Sequence, residues 1–376
     1  MEKVIILGGG MVGKAIAAEL CGDFEVTVSD IRAKRLAYLR TLYPIKTIVK
    51  DLTEEQNISD LVNGFNLVIC AVPGSIGFET VRAVISAGKD VVDISFFDRD
   101  PFELQELAKM TNVTTVVDCG VSPGLSNIIL GFHNEWMKIE SYNCYVGGLP
   151  VKRDWPFQYK AFFSPSDVIQ EYVRPARFVS EGKIVIKEAL SDSELMEFKD
   201  IGKLEAFNTD GLRTLLKTMK IPNMIEKTLR YPGHIELMKV FRESGFFDEE
   251  EIEINNNRVK PVDLTSKLLF KHWKPDKDEE EFTILRFVIR GKEADKKKEY
   301  TYELLDKFDP ETGFTSMART TGYTCTAVAR LMLEGNLKKK GILPPEYIGA
   351  IPGYKDRILN MLKQKGINIS VTEKLM

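Results

Sequence analysis

Gly8, Gly10 and Gly13 stand in the spacing G-x-G-x-x-G, directly after the apolar run Val4-Ile5-Ile6-Leu7. The first glycine permits a tight strand-to-helix turn. The second lets the backbone approach a pyrophosphate, and the third lets the helix pack close to the strand. The pyrophosphate then lies at the positive end of the helix, against the N–H groups of Met11, Val12 and Gly13. A second strand, Glu25 to Ser29, leads to Asp30 and Ile31. A carboxylate at that place accepts hydrogen bonds from the adenosine ribose hydroxyls and repels a 2′-phosphate, so the pattern favours NAD over NADP. Arg32 and Arg35 lie close enough to leave room for that phosphate.

The elements needed to position this turn follow in order. Strands are expected at Lys46–Val49, Leu67–Ala71, Val91–Ile94 and Thr114–Asp118, separated by helices over Ala33–Leu42, Thr53–Asn63, the residues after Gly74, and Pro101–Met110. Such alternation predicts a doubly wound parallel sheet in the order 3-2-1-4-5-6, an α/β Rossmann domain spanning residues 1–125. Asp51 with Leu52, Ala71-Val72-Pro73, Asp93, Asp118 and Ser122-Pro123 then fall on its ligand-binding edge.

From residue 126 to 318 the pattern becomes richer in β-structure, with strands expected at Tyr142–Gly147, Lys183–Lys187, Met224–Arg230 and Glu250–Asn255. The runs Phe282–Arg290 and Tyr300–Leu305 read as a hairpin around a solvated turn, Gly291–Lys298. Helical patterns at Pro165–Tyr172, Leu212–Met219, Ile235–Glu243 and Val262–Lys271 complete an α+β domain with a mixed or antiparallel sheet. It is expected to bind substrate and to mediate dimerisation. Residues 319–376, with an apolar helix over Thr320–Leu333, read as a segment returning to the first domain.

The 376 residues are 44% hydrophobic and 28% charged, with a formal net charge of −3, the balance of a globular protein with no electrostatic case for nucleic acid. No apolar run is long enough to span a bilayer. The chain enters a strand at once, leaving no room for a secretory leader, and its five scattered cysteines include no C-x-x-C. A cytoplasmic protein with reduced thiols and no metal site is the expectation.

Beyond the glycine turn, several segments resemble the saccharopine dehydrogenase family, and are most similar to its NAD-dependent lysine 6-dehydrogenases. They are Asp118 to Gly124, Tyr145 to Pro150, Leu204 to Gly211, Lys227 to His234, Ala318 to Thr321, and Gly341 to Glu346. The resemblance implies a Rossmann domain closed by the C-terminal segment, a cleft to a second α/β domain, and oxidative deamination of the lysine ε-amine. Saccharopine and carboxynorspermidine are the alternative substrates within the family, and a non-catalytic NAD-binding scaffold is the alternative outside it.

Deamination asks the protein to hold an α-carboxylate, take a proton from the ammonium and direct water. Arginine forks suit the carboxylate, which points to Arg213, Arg230 and Arg319, although each reads equally as a structural ion pair. Asp118 and Asp93 are the candidate bases, with turn caps as the alternative. Glu205 and Asp210 suit a cationic amine, and Asp210 also suits an N-cap. His234 titrates in the useful range and also reads as structural. Tyr145, Trp155 and Tyr231 are possible pocket walls, each readable as core.

Overall fold

The computed structural model describes residues 1–276 and 279–376. The chain folds into two compact units, residues 1–136 with 317–368, and residues 137–316 with 369–376.

The first unit is built on a seven-stranded parallel sheet. Strands Lys3–Leu7, Glu25–Asp30, Lys46–Val49, Leu67–Cys70, Val91–Asp93 and Thr114–Val116 run in the order 3-2-1-4-5-6, and Gly341–Ile342 adds a seventh beside Thr114–Val116. Val4 to Leu7 are fully buried, as a central strand covered by helices on both faces requires. The seventh strand is short, and a side chain takes one of its N–H groups on the open edge. The Ile342 N–H donates to Gln105 Oε1 at 2.8 Å, while the Leu343 N–H returns to the Thr115 carbonyl at 2.8 Å. Helix Ser316–Leu333, which also belongs here from Met317 onward, lays Gly322 against Val12, Ala15 and Ile16 of the first helix, Met11–Leu20. No helix among the described residues is long and apolar enough to cross a membrane.

Two glycines let helix Leu125–Asn134 and the short helix Pro345–Gly349 meet backbone to backbone. A Cβ on Gly131 would overlap the Glu346 carbonyl, and one on Gly349 would overlap the Ile128 carbonyl. Gly131→Ala should therefore destabilise the protein by about 1–3 kcal/mol in denaturant unfolding, the usual cost of overpacking. Gly22→Ala, where a Cβ meets open space, is the control and should stay within about 0.5 kcal/mol of wild type.

The second unit holds a mixed sheet in the order Glu194–Phe198, Gly202–Asn208, Asn223–Arg230, Lys138–Pro150, Glu281–Glu293, Lys296–Lys307, Ile369–Leu375, with Ala176–Ser180 and Lys183–Lys187 attached to Asn223–Arg230. Only Asn223–Arg230 and Lys138–Pro150 pair in parallel along that order. Its core gathers Tyr145, Leu149, Tyr172, Phe207, Leu229 and Trp273.

Several expectations need correction here. The solvated turn expected over Gly291–Lys298 is largely strand, and the chain reverses through Ala294 and Asp295, both left-handed at φ 44° and 65°. Charged cross-strand partners such as Arg290 with Glu299 (2.6 Å) keep that ladder paired while it reaches into water. Glu250–Asn255 is not part of the main sheet: Ile252–Ile254 pairs only with Asn257–Val259. The helix expected at Leu212–Met219 shrinks to Leu215–Thr218, because Arg213 takes a left-handed φ of 45°. Among the described residues six strands escaped the pattern, at Ala176–Ser180, Glu194–Phe198, Gly202–Asn208, Asn257–Val259, Gly341–Ile342 and Ile369–Leu375.

Candidate dinucleotide and amino-acid sites

The glycine turn has the shape that its chemistry demands. Gly8 adopts φ 105°, and a Cβ there would run into the Ala71 carbonyl; a Cβ on Gly13 would run into the Gly8 carbonyl. Above Gly10 the turn is open, and its nearest neighbour would be Arg35 Nη1 at 3.9 Å. Helix Met11–Leu20 starts there, so its first N–H groups, which have no partner within the helix, face that space. The cradle fits a pyrophosphate. A dinucleotide bound here supplies hydride transfer.

Asp30 ends the second strand almost fully buried. Its Oδ2 accepts from the Gly9 N–H at 2.9 Å. Burial alone would raise its pKa, but the Arg32 fork and the N–H groups of Arg32 and Gly9 hold the carboxyl below its ordinary value. Ile31 is 61% exposed, an apolar surface beside the carboxylate. Asp51 accepts from the Thr53 N–H (2.9 Å) and hydroxyl (2.7 Å), fixing the turn that carries Leu52. Pro73, exposed, precedes helix Gly74–Ser86, with Ala71 and Val72 leading into it at the same strand edge. Ser122 and Pro123 are half-buried in a tight loop closed by the Leu125 N–H on the Gly120 carbonyl at 2.9 Å.

Asp93 and Asp118 meet at the carboxyl edge of the sheet, the Cys119 N–H donating to the Asp93 carbonyl at 3.0 Å. Asp93 is 0% exposed. Its Oδ1 accepts from the Ser95 N–H and hydroxyl. Burial, aided by the charge of Asp118, pushes this carboxyl up to about 7. Asp118 beside it is buried too, at 3% exposed. Burial also raises the neighbouring Cys119 thiol, as suits packing rather than nucleophilic chemistry.

A pH dependence follows. The ordinary value is 3.8 and the folded value about 7, so between them folded Asp93 keeps a proton that the unfolded chain has released. Its contribution to stability is present below pH 3.8 and is lost as pH rises through about 7. Asp93→Asn should lose less stability than wild type across that window, seen as diverging melting temperatures when both are scanned by pH.

In the second unit the candidate residues sort into two groups. Glu226, Thr228 and Arg230 occupy alternate positions of one strand and so share a face, all buried. Thr209 bridges the first two, donating to Glu226 Oε2 at 2.6 Å and lying 2.9 Å from the Thr228 hydroxyl. Burial pushes the Glu226 carboxyl up to about 8. Asp210 is paired bidentately with Arg177 at 2.8 and 2.7 Å, so its carboxylate serves an ion pair rather than a helix cap. Glu205, directly opposite Arg230 in the ladder, accepts from the Gly233 N–H at 3.3 Å.

Arg230 is fully committed. Nη2 donates to Glu171 (2.6 Å), Nη1 to the Leu229 carbonyl (2.9 Å) and Nε to the Tyr172 hydroxyl (3.3 Å), with the guanidinium 4.4 Å above the Tyr159 ring. The Tyr172 hydroxyl also lies 2.9 Å from His234 Nε2, and His234 Nδ1 lies 2.8 Å from the Phe157 carbonyl. The carbonyl can only accept, so Nδ1 carries the proton and Nε2 accepts from Tyr172. Burial and the Arg230 charge hold His234 down to about 3, a neutral structural imidazole. Arg213 is buried at the left-handed turn after Asp210, and Arg319, in the first unit, donates to the Lys365 carbonyl at 3.1 Å. Tyr145 and Tyr231 are core, whereas Trp155 is 90% exposed on a cavity of about 240 Å³ that Lys152, Tyr159 and Lys160 also line.

Sequence reasoning missed Glu171, Arg177, Tyr172 and Glu226. Only Glu226 left a signal, as an acid on the same alternate positions as Thr228 and Arg230.

A doubly wound sheet with this glycine cradle defines a dinucleotide-binding domain. Residues 4–116 match the saccharopine dehydrogenase NADP binding domain, and residues 117–367 match the saccharopine dehydrogenase C-terminal domain. The chain belongs to the saccharopine dehydrogenase family and is an NAD(P)-dependent amine dehydrogenase. It is 24% identical to saccharopine dehydrogenase [NADP(+), L-glutamate-forming] of Saccharomyces cerevisiae, over 97% of both chains. It is 22% identical to the mitochondrial alpha-aminoadipic semialdehyde synthase of Bos taurus, over 97% of this chain and 47% of that one. Among solved structures, the apo saccharopine dehydrogenase (L-Glu forming) of Saccharomyces cerevisiae superposes with a TM-score of 0.80 at 20% identity, covering 100% of each chain. The homospermidine synthase of Legionella pneumophila in complex with NAD gives 0.68 at 13% identity, covering 99% of this chain and 91% of that one.

Proposed function

We propose that this enzyme oxidises the ε-amine of L-lysine with NAD. In that reaction lysine ammonium, NAD⁺ and water give the 6-semialdehyde, NADH, ammonium and a proton. The aldehyde then cyclises to piperideine-6-carboxylate. The observation that carries the choice within the family is how the cations of the second unit are paired. Arg230 is tied to Glu171, Arg177 to Asp210, Lys227 to Glu194, Arg286 to Glu303 and Arg290 to Glu299. A substrate bearing several carboxylates, such as saccharopine, needs several arginine or lysine partners. A polar face of neutral Glu226, Thr209 and Thr228, with the Glu205 carboxylate nearby for a cationic amine, suits a single-carboxylate amino acid.

Within this reading Asp118 takes the proton from the ammonium and directs water, and Arg213 binds the α-carboxylate. Asp30 binds the ribose hydroxyls, which makes NAD the working cofactor. Arg319, Asp210 and Glu205 shape the surroundings, the enzyme is a homodimer, and it works in the cytoplasm. Arg213→Ala removes binding more than chemistry, so KM for the amino acid should rise about tenfold or more while kcat changes little, which steady-state kinetics will show. The substrate choice itself is tested by comparing kcat/KM for L-lysine and saccharopine in the oxidative direction. A clear preference for lysine supports the proposal, and a preference for saccharopine refutes it.

A further inference from the structure

We propose that Glu346 is a positioning residue for hydride transfer, acting through Asn127 to fix the loop of residues 120–124 at the ligand-binding edge of the first unit. This rests on the dinucleotide reading of that edge and on Asp118 as the base, and is independent of which amine is oxidised.

The loop follows strand Thr114–Val116 at its carboxyl end, two residues beyond Asp118, and runs into helix Leu125–Asn134. It is tightly made. The Gly120 N–H donates to the Pro123 carbonyl at 3.1 Å, the Leu125 N–H to the Gly120 carbonyl at 2.9 Å, and the Ser126 N–H to the Val121 carbonyl at 3.3 Å. Gly124 takes φ 135°, and a Cβ there would overlap the Gly120 carbonyl. The Gly124 N–H donates to Asn127 Oδ1 at 3.4 Å. The Ser126 hydroxyl lies 3.2 Å from the same oxygen and 3.1 Å from the Ser122 hydroxyl.

Asn127 holds the loop only while its amide faces one way. A backbone N–H only donates and a carboxylate only accepts, so Oδ1 faces Gly124 while Nδ2 faces Glu346, donating to its Oε2 at 3.2 Å. Asn127 is 1% exposed and Glu346 is 0% exposed, so a flipped amide would leave polar groups on both sides unsatisfied. Glu346 is itself held in register. Its short helix, Pro345–Gly349, meets Leu125–Asn134 backbone to backbone at Gly131 and Gly349. The C-terminal segment therefore supplies the last link of a chain from Glu346 through Asn127 to Gly124 and the Ser122–Pro123 turn. Displacing reacting groups by about 1 Å can cost about a hundredfold in rate, so a loop this close to the base has to be fixed.

The test exchanges the two polarities, with steady-state kinetics on whichever of L-lysine and saccharopine the wild type oxidises. Asn127→Asp sets two carboxyl groups against each other and should lower kcat by about tenfold or more, with KM for the amine within about threefold of wild type. Glu346→Gln keeps an acceptor without the charge and should fall between. The double variant Asn127→Asp, Glu346→Gln again faces one donor with one acceptor, now reversed, and should bring kcat back to within about threefold of wild type. A purely structural pair would lower the melting temperature of Asn127→Asp and leave kcat per folded molecule unchanged, which overturns the proposal. A double variant slower than wild type by about tenfold or more also overturns it, and this holds even if Asn127→Asp alone does not fold. If wild type binds no NADH in a fluorescence titration, the dinucleotide reading fails and takes this proposal with it.

Discussion

Asp118→Asn should lower kcat by ~10²–10⁴ while leaving NADH binding unchanged, as loss of a general base does. Asp118 follows the sixth strand at the edge where ligands of such sheets bind, and it holds a left-handed φ of 54°. A non-glycine residue in that region costs on the order of 1–3 kcal/mol and persists where surroundings enforce it, commonly at working sites. Asparagine tolerates the same φ, so the variant removes the carboxylate and keeps the backbone. Stopped-flow hydride transfer and fluorescence titration with NADH measure the two halves separately. An unchanged kcat removes Asp118 from the chemistry, and a joint loss of kcat and cofactor binding makes it a structural residue.

Arg230→Leu should cost ~3–5 kcal/mol of stability, the penalty for leaving a buried partner charge alone. Arg230 is 2% exposed and its strongest contact is Glu171, itself largely covered at 18%. Burial already raises the Glu171 carboxyl, against the pull of Arg230. Without the guanidinium Glu171 must take up a proton, and Tyr172 loses one of its two polar partners. The double variant Arg230→Leu, Glu171→Leu should recover much of the loss, because it removes both charges together. Urea unfolding measures both. Unchanged stability with a large rise in KM would restore Arg230 as a substrate clamp.

The contrast between these residues shows what the sequence could disclose. The glycine turn, Asp30 and six parallel strands are local patterns: each follows from spacing, periodicity or a strand end. The family resemblance likewise rested on contiguous segments. Arg230 and His234 sit in such a segment, yet what they do depends on Glu171 and Tyr172, many residues earlier on a helix with no distinguishing pattern. Asp210 read as a contact for a cationic amine, or as a helix cap, because its partner, Arg177, lies on a strand that the pattern did not reveal. Partner choice among buried charges is a long-range property. Single-sequence spacing marks the residues that meet water or ligand backbone, and it is silent about who neutralises whom.

The most direct measurement is the stoichiometry of NADH and ammonia formed from L-lysine by the purified enzyme. One ammonia should be released for each NADH, with the product trapped as the cyclised semialdehyde. NADH formed only from saccharopine or another secondary amine, with no ammonia, would contradict it.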